Sequence, residues 1–185
     1  MNMKKSVFTL APAIFTLLVT AGSVQAKNNA QITITGNVEV ATCDVSMSTN
    51  NLDLGNHSKA AFTDVAKPVT DSIKKFTIGL SNCEAPQTAG DKANLLITGQ
   101  TLGGNPNIFN STGTNTGVML SLASAPTTYL TSGTKLEVAT AGATPGAGDF
   151  NNKTLSLQAG LASTSATAPD NGMVSAPILF SFAYN

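Results

Sequence analysis

Apolar and polar residues alternate with a period of two in several short runs, the mark of half-buried β-strands. Ile32, Ile34, Val38 and Val40 alternate with Thr33, Thr35, Asn37 and Glu39, and Gly36 stands in the apolar series. Phe76, Ile78 and Leu80 repeat the pattern on the approach to Cys83, as do Leu155, Leu157 and Ala159 around Ser156 and Gln158. The last run is Ile178, Phe180, Phe182 and Tyr184, interleaved with Leu179, Ser181 and Ala183. Leu95–Thr98, Val118–Leu122 and Thr134–Val138 read as further short strands. Turn-forming clusters separate them: Gly103-Gly104-Asn105-Pro106, Ser111-Thr112-Gly113, and Ala141 to Gly146. The helical period is absent after Ala26, so the pattern predicts an all-β, immunoglobulin-like sandwich with no repeat and no dividing linker. Small residues crowd Gly133–Pro145 and leave the strand limits in 133–148 open.

The start of the chain follows a different rule. Lys4 and Lys5 precede an apolar run from Val7 to Val19, and Val24-Gln25-Ala26 ends it with small residues. This layout predicts a secretory signal peptide over 1–26. The run is shorter than the ~20 residues that span a bilayer as a helix. No second long apolar stretch follows, so the mature chain is expected to be exported.

Charge then narrows the partners. Only 11% of the residues are charged, and ten lysines face ten acidic residues with no arginine. Losing Lys4 and Lys5 leaves eight against ten, a net charge of −2. That composition excludes a basic nucleic-acid binder. Catalysis is also unpromising: there is one histidine, no Gly-x-Ser-x-Gly pattern, and the carboxylates are scattered singly. No metal or cofactor is called for, since His57 lacks companion ligands at a suitable spacing. Following Gly55 and Asn56, His57 reads as a turn residue. In an oxidising compartment Cys43 and Cys83 read as one structural disulfide.

The N-terminal strand is unusual. It carries aliphatic residues on one face, has no proline between Gln31 and Val40, and bears one charge, Glu39. Monomeric proteins blunt such edges. From its pattern the segment reads equally as the first strand of the protein's own sandwich or as a strand given to another chain.

The mature chain resembles the pilin subunits of chaperone–usher fimbriae, the type 1-like major subunit group, over essentially its whole length. Gly36 lies in an alternating extension ahead of Cys43. Leu52-Asp53-Leu54-Gly55 follows the first cysteine and Phe76-Thr77-Ile78-Gly79-Leu80-Ser81-Asn82 leads into the second. Gly172 precedes a final alternating run that ends in a penultimate Tyr184.

The resemblance implies an incomplete immunoglobulin-like sandwich that lacks its last strand and is completed by donor-strand complementation. It divides the chain into a signal peptide (1–26), a donor-strand extension (27–40) and a pilin domain (41–185). The donor face would be Ile32, Ile34, Gly36, Val38 and Val40, with Gly36 suiting a shallow point of a groove or, alternatively, a simple bulge. Burying four aliphatic side chains at roughly 1.5–3 kcal/mol each amounts to on the order of 6–12 kcal/mol before ordering costs. Gly172, Ile178, Phe180, Phe182, Tyr184 and the Asn185 carboxylate would form the groove edge and meet the chaperone. The implied partners are other pilin subunits, a periplasmic chaperone and an outer-membrane usher, with the cell-surface fimbrium as destination and cell adhesion as the fibre's role. A minor adaptor or a glycan-binding adhesin subunit of the same fibre is the alternative function.

Overall fold

The structure, a computed structural model, describes residues 42–166 and 169–184. The expected signal peptide, the donor-strand residues Ile32, Ile34, Gly36, Val38 and Val40, and Asn185 lie outside the described residues.

Among the described residues ten strands follow in chain order: β1 (Asp44–Met47), β2 (Lys74–Ser81), β3 (Lys92–Gly99), β4 (Thr101–Leu102) and β5 (Asn105–Phe109) come first. They are followed by β6 (Thr116–Leu122), β7 (Ala125–Tyr129), β8 (Lys135–Thr140), β9 (Thr154–Ser163) and β10 (Ile178–Tyr184). The helical elements among the described residues are three short 3-10 turns. The larger sheet runs β1-β2-β9-β6-β5-β4, with β7 also paired to β6, and the smaller runs β10-β3-β8. Every pairing between these strands is antiparallel.

The alternation expected from the sequence sets the two layers. Phe76, Ile78 and Leu80 of β2, Leu95 and Ile97 of β3, Leu120 of β6, Leu157 of β9 and Phe180 of β10 meet in one core between the sheets. Phe76 and Phe180 pack edge to face across it, with ring centroids 6.1 Å apart. β6 is buried on both faces, because Met119 points the other way into a smaller cluster with Leu102, Ile108 and Ala162. A strand covered on both sides reads as an unbroken apolar run, as Val118-Met119-Leu120 does.

Some expectations need correction. Asn105 and Pro106 belong to β5 instead of the turn before it, and only Gly104, at φ 78°, takes the left-handed turn conformation. Pro106 is exposed on a strand whose pairing with β4 is irregular, where a missing N–H costs little. The strand expected at Thr134–Val138 is β8, Lys135–Thr140. The segment around His57 is a turn as expected: Gly55 N–H donates to Asp53 Oδ1 at 2.8 Å, and His57 Nε2 lies 2.8 Å from the Leu54 carbonyl oxygen.

Candidate functional site: an open seam in the sandwich

β1 has a hydrogen-bonded partner on one side, β2, and β10 has one, β3. Among the described residues their other edges are unpaired. Between them lies a groove of about 1440 Å³. One wall is β1 with the chain that follows it, through Met47, Leu52 and Leu54 to His57. The other is the chain from Asp170 into the first half of β10, through Gly172, Met173, Pro177, Ile178 and Leu179. The floor is Phe62, Phe76, Val118, Leu120, Ala159 and Leu161, so the groove opens on the sandwich core.

An unpaired backbone edge beside exposed apolar surface is normally blunted. Here the apolar side chains accumulate at the rim: Met47 is 39% exposed, Leu179 62% and Met173 86%. Among the described residues both conditions for taking up an extended chain are present, unpaired strand edges on two sides and apolar surface beneath.

The β1 wall is fastened by covalent chemistry. Cys43 and Cys83 form a disulfide, which ties the start of β1 to the end of β2. The backbone of Cys83 is held in turn by Asn151, whose Oδ1 accepts from Cys83 N at 2.9 Å and whose Nδ2 donates to Cys83 O at 3.3 Å.

The opposite wall is fastened by polar groups that no motif or periodicity singles out. Asp170 Oδ2 accepts backbone N–H bonds from Thr114 (2.8 Å), Asn115 (2.8 Å) and Thr116 (3.1 Å). Thr114 Oγ1 donates to Asp170 Oδ1 at 3.0 Å, and Asp170 N–H donates to Thr116 Oγ1 at 2.8 Å. These bonds, led by the Asn115 N–H, hold the Asp170 carboxyl below its usual pKa against the opposing effect of desolvation. Asn110, 1% exposed, shapes the same β5–β6 loop by accepting from Gly113 N–H at 2.8 Å and donating to the Thr116 carbonyl oxygen. A Cβ at Gly113 would lie 2.6 Å from Asn110 Nδ2 and 2.7 Å from Asp170 Oδ2, so a side chain there would push both groups off their bonds.

Of the groove-edge residues expected from the sequence, Gly172, Ile178 and Phe180 line the groove. Gly172, at φ 108°, makes the turn that starts the wall. Phe182 packs against the core further along β10, away from the groove lining. Tyr184 is engaged elsewhere: its hydroxyl donates to Asp91 Oδ2 and its ring packs edge to face on Phe150, with centroids 6.4 Å apart. Asp91 also accepts from the backbone N–H groups of Thr88 (2.7 Å) and Gln87 (3.1 Å).

Among the described residues, then, the immunoglobulin-like sandwich is incomplete, with one seam open to its core. Comparison with known proteins gives this class its family. The chain belongs to the fimbrial protein family, whose model matches residues 32–185. It is similar to a type-1 fimbrial protein subunit of Serratia marcescens, 33% identical over 109 residues, covering 58% of this chain. The chain spans about half the length of that relative, 55%. Its fold is similar to that of the P pilus rod subunit PapA, at a TM-score of 0.54 and 22% identity over 85% of this chain and 100% of the other. A chaperone–usher pilus chain also aligns, at a TM-score of 0.48 and 18% identity, over 95% of this chain and all of its own.

Proposed function

We propose that this chain is a structural fimbrial subunit that polymerises head to tail, the extension 27–40 of one copy filling the groove of the next. The observation that carries this reading is the groove itself, bordered by two strand edges unpaired among the described residues and floored by the core. Ile32, Ile34, Gly36, Val38 and Val40 supply the alternating face that such a floor accepts. Chaperone–pilin donor-strand complementation is a standing example of strand addition, in which main-chain bonds supply affinity and side-chain pockets set register. A contact of this kind, between two different surfaces of the subunit, does not close on itself and generates a filament.

Before assembly, a periplasmic chaperone would hold the groove and the C-terminal end at Phe182, Tyr184 and Asn185, and an outer-membrane usher would exchange it for the next subunit. Export through the periplasm to a surface fimbrium follows, with adhesion as the fibre's task.

Deletion of Lys27–Val40 tests the reading. The shortened chain is expected to fold and to be trapped by the chaperone, yet to form no SDS-resistant ladder. A ladder as long as that of the full chain overturns the proposal.

A further inference from the structure

The wall from Asn171 to Pro177 forms no β-ladder pairing. Side chains and loop backbone of the β5–β6 turn hold it instead. Asp170 anchors its start through the bonds described above. Further along, Thr112 Oγ1 donates to the Met173 carbonyl oxygen at 3.3 Å and accepts from Ser175 N–H at 3.1 Å. The Ser175 carbonyl oxygen accepts from Ser111 N–H at 2.8 Å and from Ser111 Oγ at 3.0 Å.

The wall carries apolar side chains of its own. Met173 is 86% exposed and Val174 is half-buried, and both line a groove whose floor is apolar. Apolar side chains on a loose segment beside an apolar floor are drawn down over it, because that removes surface from water. The polar bonds oppose this movement by fixing the wall's backbone at both ends.

We propose that Asp170, seconded by Thr112, is a positioning residue for strand uptake: it holds the 171–177 wall upright and keeps the subunit from capping its own groove with Met173. The proposal rests on the strand-acceptor reading above. It assigns to two polar residues outside the donor face the task of keeping the acceptor open. A groove covered about nine-tenths of the time by its own wall binds a strand about tenfold more weakly, because only the open fraction is competent.

The test uses the full mature chain, refolded at high dilution, and a fluorescein-labelled peptide of residues 27–40. Asp170→Ala and Thr112→Val are each expected to weaken peptide binding by about tenfold in samples shown by near-UV circular dichroism to be folded. Thr112→Val keeps shape and serves should Asp170→Ala fold poorly. Adding Met173→Ser to either variant removes the side chain that would cap the groove and is expected to restore binding. Met173→Ser alone is the reference for that rescue: it takes one apolar side chain from the groove rim and is expected to weaken binding far less than either wall variant. Wild-type binding with unaltered affinity in both wall variants overturns the proposal while leaving the acceptor reading intact. So does a loss that Met173→Ser fails to rescue, which makes the bonds structural only. A wild-type chain that takes up no peptide sinks the acceptor reading, and the present proposal with it.

Discussion

Two carboxylates in this fold are held by donors that a sequence scan does not connect. Asp170 meets the amides of Thr114 to Thr116, and Asp91 meets the Tyr184 hydroxyl and the amides of Thr88 and Gln87. Asp170 lies more than fifty positions from Thr114 to Thr116 and Asp91 lies 93 from Tyr184, separations that carry no periodic signal, so neither pairing was legible before the fold brought them together. Both carboxyls are shifted below the ordinary 3.8, Asp91 chiefly by the Tyr184 hydroxyl and Asp170 chiefly by the Asn115 amide. Their stabilising contribution is therefore present above pH 3.8 and is lost as pH falls through the lower folded-state values. Tyr184 has the opposite sign: Asp91 raises its pKa above 10.0, so its contribution is present below that pH and fades as pH rises through the raised value. Thermal melts across pH should show an acid limb that Asp91→Asn shallows, and an alkaline limb that Tyr184→Phe shallows. An acid limb of the same slope in Asp91→Asn would refute the assignment.

At the scale of elements, legibility followed burial. β2, β9 and β10 each show a face turned to the core, and their period-two patterns are plain in the sequence. β1 and β7 escaped, because Asp44–Met47 and Ala125–Tyr129 are mostly exposed and impose no alternation. β4 and β5 were hidden behind Gly103, Gly104 and Pro106, whose turn-forming chemistry outweighs a short, irregular pairing. The groove was legible only as a family expectation, since an absent strand leaves no residues to read. Gly117 shows how tightly the regular part is built. A Cβ there would lie 2.6 Å from the Phe109 carbonyl oxygen and 2.7 Å from Ile108 Cγ2, where β5 and β6 meet. The nearest atom is backbone and has little room to give. Gly117→Ala should cost about 1–3 kcal/mol in urea denaturation, in the range of overpacked cores. A substitution that costs nothing would mean that β5 is free to move away from β6.

For the whole molecule, the groove makes the two ends of the chain unequal. On the proposed reading a subunit gives a strand through 27–40 and takes one between β1 and β10, and a filament needs both abilities in every internal copy. The Cys43–Cys83 bridge supports only the second. It joins residues 40 apart, and chain entropy assigns a loop of that size about 4 kcal/mol. It also secures β1, which among the described residues pairs with a single strand and forms one wall of the groove. The proposed donor segment, 27–40, lies outside that loop in the sequence, so losing the bridge should weaken acceptance and leave donation unchanged. The paired substitution Cys43→Ser and Cys83→Ser is expected to lower unfolding free energy by about 2–4 kcal/mol. In co-assembly with the wild type, such a variant can insert its strand into a neighbour's groove but holds the next strand poorly, so growth stops where it adds. SDS-resistant ladders should then shorten steadily as its share of the mixture rises. If ladder length stays constant across the mixtures while the variant is incorporated, the bridge does not govern the groove, and its role is confined to the stability of the fold.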